Sequence, residues 1–321
     1  MRCAVGQPIP GKEKHMERPD LNGLIAAIVT PMRSDLSIDE ESLRRYVDWL
    51  VGQGIRGLAV NVDTGEGPHL FPAERLRVLQ IVVEETGGRA LVVAGLAASF
   101  TEQARRLAAD TARAGADALL VFPLSAYQGE PLDPEIPALY HHAVAEASGL
   151  PLIAFQLQPA LGGVNFSAET IERIMGVDGV VAIKEASFDA KRFVETARLV
   201  KSLPSRPTVL NGNDNFLLEA YLLGAEGALL GFGTLAAREQ VQMHRAVRDH
   251  DLPRAFELRD MLQPLCDVIF ARPVRDYRAR IKHALVRLGV ISEAHVRPPL
   301  RPLSKDARDL VDSGLKEAGL R

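Results

Sequence analysis

Eight short apolar runs recur along the chain. They begin near Ala26 (AAIVT), Gly57 (GLAVN), Ala90 (ALVVAG), Ala118 (ALLVF), Leu152 (LIAF), Val180 (VVAIK), Thr208 (TVLN) and Gly227 (GALLG). Their spacing is 28 to 34 residues until the last interval, which is 19. Each run is strand-sized and apolar throughout rather than alternately apolar, which suits parallel strands covered on both faces. Between them the pattern changes to helical spacing. Residues 38–53 carry Leu43, Tyr46, Val47 and Leu50 on one face, and residues 101–115 carry Ala104, Leu107, Ala108 and Thr111 before a terminal glycine. Residues 167–175 open with Ser-Ala-Glu-Thr, a helix-capping start, and 189–202 and 215–223 follow the same logic.

Strand and helix thus alternate eight times, with connections too long for hairpins. That pattern predicts βα units with right-handed crossovers closing into a (β/α)8 TIM barrel over residues 21–250. An open doubly wound sheet would put a glycine-rich phosphate loop at the first βα turn, and Thr30-Pro31-Met32-Arg33-Ser34-Asp35 contains no glycine. Beyond residue 235 the pattern reads as helix only (235–249, 253–266, 273–288, 304–318), so residues 251–321 are expected to form a C-terminal helical extension. Residues 1–20, with three prolines, two glycines and no apolar signal-peptide core, are expected to form a flexible arm.

Composition narrows the function classes. The 321 residues are 47% apolar and 25% charged, enough for a full core. The formal charge of -3 supplies no basic field to recruit nucleic acid, and no apolar run approaches a membrane span. Cys3 and Cys266 are the two cysteines, which argues against a disulfide framework and for a reducing, cytoplasmic setting. No HExxH or CxxC motif occurs, and His141 and His142, adjacent on a predicted helix, diverge by about 100°, so no metal site is expected.

In a TIM barrel the chemistry sits at the C-terminal ends of the strands. The run Val181-Ala182-Ile183-Lys184-Glu185 ends such a strand. Alternation puts Val181, Ile183 and Glu185 toward the helices, and Ala182 and Lys184 toward the axis. A lysine inside a barrel is costly unless paired or neutral, and a neutral amine can form a Schiff base. A structural, ion-paired lysine is the other reading. After the second strand, Asp63-Thr64-Gly65-Glu66 offers a hydroxyl and a closely approachable backbone that could hold a carboxylate, or could simply cap the next helix. Gly212 and Asp214, after the seventh strand, are substrate-contact candidates, with helix capping by Asp214 or Asn215 the plainer role. Gly231-Phe232-Gly233 could bind phosphate, the only support for a barrel isomerase.

Together these segments resemble the dihydrodipicolinate synthase / N-acetylneuraminate lyase family of class I pyruvate aldolases. The resemblance spans about residues 21 to 321. It rests on the run from Ala26 to Pro31, the Thr64-Gly65-Glu66 turn, the stretch from Ile183 to Ser187, the 212–214 loop and the helical extension. It implies that Lys184 is the Schiff-base lysine, that Thr64 and Gly65 hold the carboxylate of pyruvate, that no cofactor is needed, and that the chain assembles as a homodimer or homotetramer. Two departures stand out. Asp63 replaces a serine or threonine. In the fifth strand, Ile153-Ala154-Phe155-Gln156-Leu157 has Phe155 where the family carries the tyrosine that relays protons, and no arginine follows in residues 158–163. These departures argue against a true dihydrodipicolinate synthase. They leave proton transfer to Tyr127, His69, Asp63, Ser125 or water. They also keep open a catalytically altered member that binds a 2-oxo acid as sensor or scaffold.

Overall fold

A computed structural model describes residues 18–129 and 131–320. Eight strands close into a parallel barrel in sequence order: β1 (Leu24–Ala27), β2 (Gly57–Val60), β3 (Leu91–Leu96), β4 (Ala118–Val121), β5 (Leu152–Leu157), β6 (Val180–Ala186), β7 (Thr208–Asn211) and β8 (Gly227–Leu230), with β8 pairing back onto β1. Helices α1 (Glu40–Val51), α2 (Pro72–Thr86), α3 (Thr101–Arg113), α4 (Glu135–Ser148), α5 (Ala168–Met175), α6 (Ala190–Ser202), α7 (Leu217–Leu222) and α8 (Ala237–Arg248) follow the strands in turn. Then come α9 (Leu252–Ile269), α10 (Tyr277–Arg287) and α11 (Lys305–Glu317).

Local chemistry fixes several of these boundaries. Asp39, Ser167, Asp189 and Ser304 each accept a backbone N–H of the first turn of the helix they open, which satisfies donors that a helix start leaves unpaired. Two apolar cores follow from the strand period of two. Leu24, Ala26, Leu58, Val60, Leu119 and Ile183 pack outward against the helices. Ile25, Ala27, Ala59, Val93, Ala118, Leu120, Ala182 and Leu229 fill the barrel. Four of those eight inner side chains are alanine, which leaves space on the axis for longer groups at the strand ends.

Three details depart from the sequence pattern. The first strand is β1 at Leu24–Ala27, and Ile28 to Thr30 leave the sheet, although the Ile28 N–H still donates to the Ala59 carbonyl at 3.0 Å. In β6 the register slips between Leu152↔Val180 and Ile153↔Ala182. That bulge turns Val181 inward, against the interior cluster, and corrects its helix-facing assignment. From Ala182 onward the alternation runs as expected. Finally, residues 1–17 of the expected flexible arm lie outside the described residues, whereas Arg18 is tied down: its guanidinium donates to the carbonyls of Val181 (2.8 Å), Ser205 (3.1 Å) and Arg206 (2.6 Å).

Candidate active site

Lys184 projects from β6 into a cavity of about 60 Å³ at the C-terminal mouth of the barrel. At roughly 10–15 Å³ per water-sized group, that space suits a molecule of about pyruvate's bulk. Asp63, Thr64, Phe155, Gly212 and Asp214 line it together with Lys184. Most of the rest of the wall is apolar, with Val62, Phe122, Leu157, Leu161, Phe188, Phe270 and Val274, and Tyr277 is the polar exception.

The surroundings of Lys184 shape its chemistry. Its Nζ sits 4.3 Å from the centroid of the Phe155 ring, directly across the β5–β6 pairing, and Phe122 meets that ring edge-on at 5.0 Å. Gly212 makes room for the side chain, since a Cβ there would stand 2.7 Å from Lys184 Cε and 2.9 Å from the Glu185 carbonyl. Burial lowers the lysine's pKa to about 8, against the opposing pull of the Asp214 and Asp63 carboxylates. Burial likewise raises Asp214 to about 6, while the Phe232 N–H and Lys184 act to lower it.

Asp214 does not cap the next helix. Its Oδ1 accepts the Phe232 N–H of the neighbouring loop after β8 at 2.8 Å. The 231–233 loop therefore points an amide at a carboxylate, and Asp214 places negative charge where a phosphate would need to sit. That removes the support for a phosphate site. Glu185 faces outward and is fully buried in a polar knot. It accepts from Gln156 Nε2 (3.1 Å), Ser187 N (3.1 Å) and Asn213 Nδ2 (2.8 Å), a structural arrangement that fixes both strand ends around the lysine.

The turn after β2 is held from several sides. Thr30 Oγ1 donates to the Gly65 carbonyl at 2.7 Å, and a Cβ at Gly65 would lie 2.8 Å from the Ile28 carbonyl. The Gly65 N–H already donates to Val62 at 3.1 Å, so the residue contributes clearance. Of the turn's side chains, Asp63 and Thr64 face the cavity.

Three acid–base candidates lie elsewhere. Tyr127 is buried against Tyr140 and Phe166 and lines a separate, more open cavity of about 1060 Å³ between the loops after β4 and β5. His69 lies on the far side of the turn, where its carbonyl accepts from Arg297. Ser125 is exposed on the β4 loop. The geometry brings in a residue that the pattern gave no reason to select. Tyr277, the first residue of α10, lines the lysine cavity and donates its hydroxyl to Asp63 Oδ2 at 2.9 Å, with Thr64 Oγ1 at 3.4 Å. A tyrosine opening a helix far along the chain carries no sequence signal of this kind, because only the packing of the extension over the mouth puts it there. Among the described residues no three His, Cys, Asp or Glu side chains group as a metal site, and no helix is long and apolar enough to cross a membrane.

A family model described as the dihydrodipicolinate synthetase family matches residues 20–318. A 4-hydroxy-tetrahydrodipicolinate synthase of Gluconacetobacter diazotrophicus is 32% identical over 307 residues, 95% of this chain and 99% of the relative. The same enzyme of Neisseria meningitidis is 34% identical over 302 residues, 93% and 99% of the two chains. Among solved structures, a chloride-inhibited dihydrodipicolinate synthase from Acinetobacter baumannii, complexed with pyruvate, superposes with a TM-score of 0.83 at 29% identity, covering 94% of this chain and all of that one (100%).

Proposed function

Because the chain belongs to the dihydrodipicolinate synthetase family, we propose that it is a Schiff-base-forming lyase, an aldolase, synthase or dehydratase, acting on pyruvate or a related 2-oxo acid. The observation that carries this reading is Lys184 at the floor of a small apolar cavity with its ammonium form destabilised. The neutral amine attacks the ketone carbon, water leaves, and the resulting iminium draws electrons from the neighbouring carbon. The Thr64 hydroxyl accepts from Tyr277, which leaves its own proton to donate to the substrate carboxylate. The lysine is itself the electron sink, so the reaction calls for no cofactor. The experiment is incubation with pyruvate and borohydride followed by peptide mass spectrometry. We expect a reduced adduct on the peptide containing Lys184. Absence of an adduct with every 2-oxo acid tried would remove the aldolase reading.

The second substrate is a finer question. The relatives are named as synthases, yet the lining residues here include no guanidinium. Asp63 and Asp214 outnumber Lys184, and the remaining wall is aromatic and aliphatic. This supports a partner that presents an apolar portion near Phe155, Phe122 and Phe188 rather than a second carboxylate. The missing hydroxyl at Phe155 favours one other reading, a family member that only binds a 2-oxo acid as a sensor. Proton exchange into bound pyruvate separates the two, since a sensor would show none. We place the protein in the cytoplasm, which its low cysteine content and the free thiol of Cys266 support. A homodimer or homotetramer is the assembly to test by sedimentation.

A further inference from the structure

We propose that Tyr277 and Asp63 together form the proton relay of this site, in place of the hydroxyl that Phe155 lacks. The inference rests on the Schiff-base reading and adds a second group to it. Once Lys184 is an imine, the lining groups able to carry a proton are Asp63, Thr64, Asp214 and Tyr277. Tyr277 is the one whose hydroxyl already sits in a chain. It is buried, at 8% exposure, and donates to Asp63 Oδ2, while the Asp63 side chain is 42% exposed. A proton can thus pass from the enclosed cavity through Tyr277 to a carboxylate that touches solvent. Asp214, at 8% exposure, has no such outlet.

The pair is held in place. Arg278 forms an ion pair with Asp63 Oδ2, donates from Nε to the Asp63 carbonyl at 2.7 Å, and lies 4.7 Å over the Tyr277 ring. Phe270 also stacks on that ring, with centroids 5.2 Å apart. The guanidinium thus holds the Asp63 carboxylate in place beside the tyrosine hydroxyl. Both departures then belong to one arrangement: with Phe155 silent, the aspartate at position 63 is the acceptor that a tyrosine from α10 needs.

The step balances. In enamine formation the C3–H bond of the lysine-bound pyruvate breaks, and its electron pair becomes the carbon–carbon double bond as the iminium nitrogen is neutralised. The proton goes to Tyr277 Oη while the Tyr277 proton passes to Asp63 Oδ2 and on to water. The reverse path returns a solvent proton to C3. A hydroxyl proton released during aldol cleavage would take the same route. Because acceptance and donation are concerted, no free tyrosinate forms beside Asp63.

The test is exchange of the pyruvate methyl hydrogens in D2O, followed by NMR with the full-length protein, beside borohydride trapping. Tyr277→Phe should slow exchange by roughly 10²–10⁴-fold while the Lys184 adduct still forms with a half-saturating pyruvate concentration within about threefold of the unmodified protein. Asp63→Asn should do the same, which carries the test if Tyr277→Phe folds poorly. Phe155→Tyr placed in the Tyr277→Phe background should recover about tenfold or more of the rate by restoring a hydroxyl beside the lysine. The relay is overturned if either single variant exchanges at the unmodified rate, if exchange and binding fall together, or if Asp214→Asn alone abolishes exchange while Tyr277→Phe does not. Failure of the unmodified protein to form any Lys184 adduct would instead sink the Schiff-base reading, so the two failures are distinct.

Discussion

The useful property of Lys184 is the cost of its charge. With a pKa of about 8, roughly a tenth of it is neutral at pH 7, whereas an ordinary lysine would be neutral in only about one molecule in 3,000. Because the folded-state value is lowered, the reactive amine appears as pH rises through about 8 and is lost below it. The groups facing it are Asp214, Asp63 and Tyr277, and the two carboxylates oppose the shift. We therefore expect the rate of imine formation, read by rapid borohydride quench, to climb from pH 6.5 and level off above about pH 8. Protonation of Asp214 below about 6 removes one charge that favours the ammonium and should flatten the acid limb. A rate still climbing beyond pH 10 would mean the amine is not desolvated. Thr64 gives a second expectation at this scale. Removing one charge-assisted hydrogen bond costs about 1.5–3 kcal/mol, so Thr64→Ala should raise the half-saturating pyruvate concentration in the trapping assay roughly ten- to hundredfold. An unchanged value would leave the turn a structural feature only.

Among the elements, the turn after β2 and the C-terminal extension are a single unit. Glu66 and Lys282 are both fully buried and meet at 2.5 Å, Lys282 also donates to the His295 carbonyl at 2.6 Å, and the Arg297 N–H donates to the second Glu66 oxygen at 2.8 Å. Lys282→Met would strand a buried carboxylate, so it should destabilise the fold by about 3–5 kcal/mol in urea titration, and the added change Glu66→Gln should recover part of the loss. A single-variant loss below about 1 kcal/mol would show that the pair is dispensable. This fastening was not legible in the sequence, and the reason is general. Apolar runs mark the strands because each strand must be buried on both faces wherever it sits. Helix starts are marked by Ser167 and Asp189 because capping acts within a turn. The Val181 bulge depends on how β6 meets β5. The approach of Lys282 and Tyr277 to the turn depends on where a helix more than 200 residues away comes to rest. Lys184 was legible from strand alternation alone, which turns it inward without any knowledge of its neighbours, whereas Asp63, Thr64, Phe155, Gly212 and Asp214, which line the same cavity, were legible as residues at strand ends.

On the scale of the whole molecule, kinship to named synthases and the composition of the cavity point to different second substrates. The chain follows its relatives over nearly its full length, and on the proposed reading barrel, lysine and turn carry the first half-reaction. On the proposed Schiff-base reading, the second half-reaction depends on what surrounds the imine. A dicarboxylate-like partner such as aspartate semialdehyde would bring its carboxylate against Phe122, Phe155, Leu161 and Phe188, with Asp63 and Asp214 nearby and no lining guanidinium to receive it. An unpaired carboxylate in such surroundings costs several kcal/mol, and a bidentate arginine partner is not easily replaced. An aldehyde with an apolar or aromatic tail meets no such penalty. We expect a coupled assay with pyruvate and aspartate semialdehyde to show turnover far below an ordinary enzyme rate of roughly 10 s⁻¹, and Phe155→Tyr alone not to restore it, since the tyrosine would supply a proton path and still leave the carboxylate unmatched. Aromatic aldehydes with pyruvate should be the better substrates in the same assay. Synthase turnover at the ordinary rate would overturn this expectation and would mean that the carboxylate is received outside the cavity, by a group the Lys184 pocket does not contain.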